Sequence, residues 1–193
     1  TPTICTVSGS TVTEQGAGTC TITASQGGSI CYNAAISVPR SITINKASQT
    51  ITFPNPPAQT FVPAGTFALT ATASSGLAVT YTSTTTGVCT VSGSTVTKVA
   101  GGTCTINANQ AGNADYLAAA QVPKNITISP ASQTITFPAQ TTATQPYTLN
   151  GIFAVAPNAS ASSGLIVTYG SSTPTICSVT GNSSIGGTVT KLL

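Results

Sequence analysis

Short runs of alternating apolar and polar residues recur along this chain, and each run is typical of a β-strand with one buried face. In the run 103–108, Cys104, Ile106 and Ala108 alternate with polar residues. Successive side chains of a strand point to opposite faces of a sheet, so this spacing predicts one buried and one solvated face. No stretch has a convincing helical period, although 116–120 fits either one helical turn or a packed loop. The pattern therefore predicts an all-β fold.

Turn-forming residues separate these runs at regular intervals. The sequences SSG at 74–76, SGS at 92–94 and AGG at 100–102 tolerate the positive φ of tight turns. Many short strands with regular turns favour a β-sandwich or a barrel. Seven strands are predicted in the central part of the chain, near 49–53, 66–73, 77–83, 88–92, 95–99, 103–109 and 121–129.

The chain also repeats itself with a spacing of 84 residues. ICTVSGSTVT at 4–13 returns as VCTVSGSTVT at 88–97, and ASQTITFP at 47–54 returns unchanged at 131–138. A fixed period indicates that one structural unit is used several times. Because repeated modules more often supply length and surface than a single reaction centre, the repeat bears on function as well as on fold.

The repeat divides the chain into three parts. We predict a complete unit over 47–130, the back half of a unit over 1–46 and the front half of another over 131–193. Half-built sandwiches expose strand edges and apolar faces, which favours association. We therefore expect either head-to-tail contact between copies, which gives an open filament, or neighbouring repeats of a longer chain. One difficulty is that 171–193 and 1–23 copy the same segment, so simple complementation duplicates strands.

The composition excludes several function classes. Charged residues make up 4% of the chain, whereas about 25% is ordinary for a soluble domain. Thr, Ser, Asn and Gln take their place on the predicted solvated faces. The net charge of +3 is too small and too scattered for a nucleic-acid footprint. No apolar run approaches the roughly 18 residues of a membrane span. We therefore predict no nucleic-acid partner and no membrane span.

Residues suited to catalysis or metal binding are scarce. The chain has no His, which excludes Ser-His-Asp and Cys-His arrangements. Its only carboxylates, Glu14 and Asp115, lie in different predicted units, so we expect no acid–base pair between them. Six cysteines without His or a C-x-x-C spacing favour disulfides over zinc. We predict no enzymatic activity, no cofactor and no metal site.

Residues 74–119, SSGLAVTYTSTTTGVCTVSGSTVTKVAGGTCTINANQAGNADYLAA, resemble the bacterial immunoglobulin-like repeats that occur in tandem in large surface proteins and adhesins. Residues 18–53 and 131–169 carry matching parts of the same pattern. The resemblance implies tandem immunoglobulin-like β-sandwiches of about 84 residues. The chain departs from the pattern in a longer segment at 141–157.

The resemblance also implies how four cysteines pair. In an immunoglobulin-like sandwich, the strands of Cys89 and Cys104 belong to opposite sheets and direct both side chains inward, and Cys5 and Cys20 recur at the same spacing. We therefore predict the disulfides Cys5–Cys20 and Cys89–Cys104, each worth about 3 kcal/mol on the chain-entropy model. Two pairs of small buried thiols are the alternative.

Two cysteines are left without an evident partner. Cys177 aligns with Cys89, but no GTC strand follows it, and Cys31 occupies the loop position that holds Asp115 in the next unit. We expect Cys31 to be exposed. The two thiols bridge each other, bridge neighbouring molecules, or mark a truncated repeat.

Two expectations concern single side chains. Lys98 has the chemistry for an isopeptide crosslink, but Glu14 and Lys191 align with it, which favours an exposed polar position. Phe53, Phe67 and Phe137 are expected in the core, where they leave few aromatic residues for ligand binding.

These observations predict a structural protein. Disulfides persist in oxidising compartments, which indicates a secreted or cell-surface location. We predict that the repeats build an extracellular fibre, stalk or sheath, with copies of the chain as head-to-tail partners. The alternative is an adhesin segment that binds a glycan or another surface through the loops 54–65 and 141–157.

Overall fold

The structure is a computed structural model that describes residues 2–141 and 144–192. The described residues form β-strands, turns and loops, with no helix. They divide into two compact units between Ala131 and Ser132. The first unit holds both of the predicted modules 1–46 and 47–130. The predicted all-β class is therefore confirmed.

Residues 2–46 form two separate antiparallel hairpins, which the Cys5–Cys20 disulfide links. Their strands are β1 (Cys5–Ser8), β2 (Thr11–Glu14), β3 (Gly18–Ala24) and β4 (Val38–Ile44). β1 pairs only with β2, and β3 pairs only with β4. The alternating pattern of this segment produces strands, but the sheets that they form have two strands each.

The central part of the chain forms larger sheets. Its strands are β5 (Ile51–Thr52), β6 (Gln59–Thr60), β7 (Thr66–Ala68), β8 (Thr72–Ala73), β9 (Thr80–Ser83), β10 (Cys89–Ser92), β11 (Thr95–Lys98), β12 (Gly102–Asn109) and β13 (Val122–Ser129). One sheet has the order β10-β11-β7 and another the order β6-β13-β12-β9, while β5 pairs with β8.

The core of this central part is built from both large sheets. Val96 of β11, Ile106 of β12 and Ile126 of β13 are at most 1% exposed. The buried cluster also includes Phe53 and Leu69. Because the inward residues of two sheets fill one core, the arrangement is consistent with the β-sandwich class.

The described residues of the second unit form five strands. They are β14 (Ile135–Thr136), β15 (Ile152–Val155), β16 (Ser160–Ala161), β17 (Cys177–Asn182) and β18 (Gly186–Lys191). β15, β18 and β17 form a three-stranded antiparallel sheet, and β14 pairs with β16. Among its described residues, no strand corresponds to β12 or β13 of the central part.

The predicted strand boundaries were wrong in two places. The single strand expected over 66–73 is divided into β7 and β8, which belong to different sheets. The proline-rich stretch that follows Phe53 contains a strand that we did not predict, β6, which pairs parallel to β13. Residues 116–120 form a loop, so the helical alternative is excluded.

Two predicted side-chain positions were also wrong. Lys98 is 9% exposed rather than solvated, and its ammonium donates to the carbonyl oxygen of Thr60 at 2.9 Å. Phe137 is 56% exposed, whereas Phe53 at the same repeat position is 5% exposed. The difference arises because Phe53 packs in a complete core, whereas no strand equivalent to β12 covers Phe137 in its unit.

Candidate functional site

Both predicted cysteine pairs are bonded. Cys89–Cys104 links β10 of the three-stranded sheet to β12 of the four-stranded sheet, with 5.6 Å between the Cα atoms. Cys5–Cys20 links β1 to β3 in the same way, with a Cα separation of 5.7 Å. Two disulfides are typical of a protein that folds in an oxidising environment.

The other two cysteines are thiols in different surroundings. Cys31 is exposed, as expected, and Cys177 is half-buried. The sulfur of Cys177 lies 3.4 Å from Ser171 Oγ and 3.9 Å from Thr173 Oγ1. At the matching position, the sulfur of Cys89 lies 3.4 Å from Ser83 Oγ and 3.7 Å from Thr85 Oγ1. Cys177 is therefore held as Cys89 is held, but without a cysteine opposite.

An apolar cleft opens beside Cys177 in the second unit. Its volume is about 280 Å³. The side chains that line it include Phe137, Phe153, Val155, Tyr169, Val179 and Val189. In the central part of the chain, the space next to Cys89 is occupied by β12 and β13. The second unit thus has one apolar layer of a sandwich core, but its described residues form no opposite layer that covers it.

The β3–β4 hairpin has the opposite arrangement. Cys20 pairs with Ile42 across this hairpin in the same register as Cys104 with Ile126 across β12–β13. Ile42 is nevertheless 52% exposed, and Val38 is 46% exposed. The hairpin therefore has the sequence of a sandwich layer, but little of the opposite layer covers it.

A third feature is the joint between the first segment and the central part of the chain. The backbone N–H of Ala17 donates to Asp115 Oδ1 at 2.8 Å, and the N–H of Ala47 donates to the Asp115 carbonyl oxygen at 2.8 Å. Lys46 Nζ donates to the Asn113 carbonyl oxygen at 2.7 Å. A single loop thus contacts both the β2–β3 turn and the linker after β4.

Local hydrogen bonds keep this loop in shape. The side-chain oxygen of Asn113 accepts from the N–H groups of Asp115 and Tyr116, both at 2.9 Å. Gln49, which is 7% exposed, donates to Gln110 Oε1 at 2.6 Å and to the carbonyl oxygen of Leu117 at 2.7 Å. Gln49 therefore ties the loop to the start of its own unit.

Sequence reasoning did not assign a role to Gln49 or to the joint. A signal was present, because Gln49 stands at the same alternation phase as the apolar residues Ile51 and Phe53. A polar residue on the inward face of a strand indicates a buried hydrogen-bonding position. The contact between Ala17 and Asp115 had no comparable signal, since the two residues are distant in sequence and neither is kept at the matching repeat position, where Gly101 and Cys31 stand.

The two carboxylates, which belong to different predicted units, lie around the same recess. Glu14 and Asp115 both line one cleft of about 290 Å³, together with Tyr116 and the linker residue Asn45. Asp115 is already engaged by the Ala17 N–H through one carboxylate oxygen. The cleft is therefore a polar recess at the joint between the first segment and the central part.

Within the described ranges, no group of three or more Cys, Asp or Glu side chains is arranged to hold a metal ion. No helix among residues 2–141 and 144–192 has the length and apolar character needed to cross a membrane. Of the predicted contact loops, 54–65 contains β6, and 141–157 contains β15. Thr142 and Ala143 of the second loop lie outside the described residues.

Neither a protein-family model nor a curated protein sequence matches this chain. Three features of the structure therefore bear on function: the cleft beside Cys177, the exposed β3–β4 hairpin and the joint at Asp115.

Proposed function

We propose that this chain is a structural extracellular protein, in which tandem immunoglobulin-like β-sandwich units of about 84 residues build a fibre, stalk or sheath. Copies join head to tail by strand complementation. The function is mechanical, since length comes from repetition and cohesion comes from the sheets and disulfides. The chain has no enzymatic role in this proposal.

The observation that carries the proposal is the reuse of one hairpin pair. β1–β2 and β10–β11 have the same register, with Val7 opposite Val12 and Val91 opposite Val96. β3–β4 and β12–β13 also share a register, and each hairpin pair is joined by one disulfide. A unit that is repeated together with its disulfide is suited to building length, because the same disulfide stabilises each copy against unfolding.

The joint at Asp115 supports an extended arrangement. The loop 113–117 receives both the β2–β3 turn and the linker after β4 through hydrogen bonds from Ala17, Ala47 and Lys46. Several hydrogen bonds on a short linker limit its bending. Consecutive units held in this way transmit tension along the chain rather than rotating freely.

The surface composition supports an extracellular location. The chain has two carboxylates and five Lys or Arg side chains in 193 residues. Exposed faces are therefore covered mainly by neutral Thr, Ser, Asn and Gln, whose hydration changes little with pH or salt. Disulfides that link the sheets suit an oxidising, changeable environment.

Electron microscopy of the purified chain tests this function. We expect regular unbranched filaments whose axial repeat is constant, and we expect reduction of the disulfides to shorten or dissolve them. Dispersed monomers at all concentrations, with both disulfides intact, would contradict the fibre proposal.

The second candidate is an adhesin segment, and the cleft at the joint favours it. Glu14, Asp115 and Tyr116 line this recess, and carboxylates beside an aromatic ring are a common means of holding sugar hydroxyl groups. The loops 54–65 and 141–157 are the other candidate contact sites. Glycan-array binding by monomers that is lost in Tyr116→Ala, with no filaments, would favour this function over the fibre.

A further inference from the structure

We propose that copies of this chain are joined by an exchange of hairpins and of disulfide partners. In this exchange, β17–β18 of one copy takes the place of β1–β2 against the β3–β4 hairpin of a second copy. Cys177 of the first copy then replaces Cys5 as the disulfide partner of Cys20 in the second. The inference rests on the proposed fibre function and assigns its covalent joint.

The cleft beside Cys177 is the acceptor. Cys177 is held by Ser171 and Thr173 at 3.4 and 3.9 Å, much as Cys89 is held by Ser83 and Thr85. Cys89 is bonded to Cys104 of β12. By analogy with Cys89, a strand with a cysteine at the position of Cys104 would match the cleft of about 280 Å³ next to Cys177.

Other contacts in the second unit match those of the central part. The hydroxyl of Tyr81 accepts from the Ala71 N–H at 2.7 Å, and the hydroxyl of Tyr169 accepts from the Ala159 N–H at 2.9 Å. The tilted rings of Tyr81 and Phe53 lie 5.7 Å apart between centroids, and those of Tyr169 and Phe137 lie 5.8 Å apart. The acceptor face is thus formed before any partner arrives.

The sequence of β3–β4 identifies it as the occupant. It reads GTCTITA and VPRSITI, where β12 and β13 read GTCTINAN and VPKNITIS. Ile126 is 1% exposed against its sandwich core, whereas the matching Ile42 is 52% exposed. A hairpin with this sequence and an uncovered face has the shape and the apolar residues that the cleft lacks.

The exchange also removes the duplication of strands. β17–β18 and β1–β2 come from the same part of the repeat, so both cannot lie against one β3–β4 hairpin. No strand pairing joins β1–β2 to β3–β4 in the described residues. By contrast, β18 also pairs with β15, so that β17–β18 brings a three-stranded sheet. The incoming layer offers β3–β4 more apolar cover than the hairpin it displaces.

The backbone register of the joint follows from the central part. There, β12 pairs with β9 so that Ile106 lies opposite Ser83 and Ala108 lies opposite Tyr81. The equivalent pairs across the joint are Ile22 with Ser171 and Ala24 with Tyr169 of the other copy. Apart from a bridge between Thr168 and Asn182, the described residues leave the 168–171 edge without a strand partner.

The chemical step is a thiol–disulfide exchange that needs no external oxidant. The Cys177 thiol loses a proton, and its thiolate attacks the sulfur of Cys20 in the Cys5–Cys20 bond. The Cys177–Cys20 bond forms as the Cys20–Cys5 bond breaks, and the Cys5 sulfur leaves as a thiolate that takes up a proton. One disulfide and one thiol exist before and after the step, so electrons and atoms balance.

Each copy carries one β3–β4 hairpin and one acceptor face, on different parts of the chain. The contact is therefore heterologous, and repetition of it gives an open chain of copies. Cys31 takes no part in the exchange, which makes it the matched control for Cys177.

The test mixes full-length chains grown with ¹⁴N and with ¹⁵N, at mildly alkaline pH where more thiol is ionised. The mixture is then alkylated, digested without reduction and analysed by mass spectrometry. We expect a mixed-isotope peptide that joins Cys20 to Cys177, with one alkylated Cys5 for each such bond. Cys177→Ser removes the crosslink, whereas Cys31→Ser leaves its yield unchanged.

Other linkages overturn the proposal. A Cys177–Cys177 or Cys177–Cys31 bond between copies contradicts the assigned partner. So does associated material in which Cys177 remains a thiol and Cys5–Cys20 is intact.

A second pair of variants tests the docking face apart from the thiols. Ile22→Glu places a charge on the face of β3 that enters the cleft, so we expect association to fall by about tenfold or more. Ile36→Glu alters a residue that is 93% exposed, in the connection between β3 and β4, and should change association by less than about twofold. If both variants associated as strongly as the parent chain does, the assigned docking face would be wrong.

Microscopy of the same samples separates the two proposals. Filaments in which Cys5–Cys20 persists throughout overturn the exchange and leave the fibre function standing. Closed dimers that carry the Cys20–Cys177 bond, without filaments, support the exchange and contradict the fibre function.

Discussion

The hairpins β3–β4 and β12–β13 have nearly the same sequence and the same register, but they are buried to different extents. Cys20 and Cys104 are both at most 1% exposed. Away from the disulfide the hairpins differ, since Ile42 is 52% exposed and Ile126 is 1% exposed. The disulfide of β12–β13 links it to the three-stranded sheet of β7, β10 and β11, whereas the disulfide of β3–β4 links it to the two-stranded β1–β2, which covers less of its face. Strand formation and core formation are thus separate outcomes of one sequence.

The second unit gives the complementary case. Its sheet β15-β18-β17 and the tyrosine contacts of Tyr169 are formed, but the apolar face beside them is open. Half of a sandwich therefore keeps its own strand pairing and turn contacts without its partner layer. Substitutions at matched positions of the complete and incomplete units test how far the missing layer accounts for these differences.

The largest effect is expected for a core isoleucine. Ile126→Ala removes a side chain that is 1% exposed, which should lower the free energy of unfolding of the central part by about 4 kcal/mol. Ile42→Ala at the matching position should cost less than about 1 kcal/mol, because half of that side chain already meets solvent. Urea unfolding followed by hydrogen exchange of β12–β13 and of β3–β4 measures both. Equal costs would mean that β3–β4 has a core of its own.

The second largest loss of stability is expected for the disulfide that links the two sheets. Replacing Cys89 and Cys104 together with Ala should lower the free energy of unfolding by about 3 kcal/mol, since the unfolded chain gains the freedom of a loop closed over 15 residues. Chemical denaturation of the double variant checks the value. The same double change at Cys5 and Cys20 should leave the exchange protection of β12–β13 unaltered, and a large change there would show that the first segment supports the central core.

Gln49 should have an intermediate effect. Gln49→Ala removes the donor to Gln110 Oε1 and to the Leu117 carbonyl oxygen inside a nearly closed site, which should cost about 2 kcal/mol. Gln133 at the matching position is exposed, so Gln133→Ala should cost less than about 0.5 kcal/mol. Thermal unfolding of the two variants makes the comparison. A loop 110–119 with unchanged amide exchange in Gln49→Ala would contradict the assigned role.

Lys98 is expected to contribute slightly less to stability than Gln49. Its ammonium donates to the Thr60 carbonyl oxygen at 2.9 Å, so Lys98→Ala should cost about 1 kcal/mol and speed amide exchange in β6. Glu14 aligns with Lys98 but is exposed, and Glu14→Ala should change stability by less than about 0.5 kcal/mol. If the amides of β6 exchanged at the same rate in Lys98→Ala as in the parent chain, the Lys98–Thr60 contact would not stabilise β6.

Asp115 should have the smallest effect on stability and a clear effect on the joint. Asp115→Ala removes the acceptor of the Ala17 N–H, so we expect faster exchange of that amide and faster proteolysis near 45–47, with the core of the central part unchanged. Asp115→Asn keeps an acceptor oxygen and should retain most of the protection. If both variants behaved as the parent chain, the joint would not depend on this side chain.

The sequence was sufficient to predict the all-β class and most of the strands, because alternation at period two and closely spaced turn residues are local features. The two disulfides were predicted from the resemblance to immunoglobulin-like repeats, and the recurrence of Cys5 and Cys20 at the spacing of Cys89 and Cys104 extended the pairing to the first segment. The strand β6 was missed because its pairing is parallel to the distant β13, and prolines surround it.

Tertiary structure decided which of these strands lie in a core. Phe53 and Phe137 stand in identical local sequences, yet one is 5% exposed and the other 56%. Lys98 is buried because the backbone of Thr60 reaches its ammonium, and Asp115 serves the joint because a distant turn presents the Ala17 N–H to it. Burial and contact depend on residues far away in the chain, so a repeated local pattern predicts a strand but not what covers it.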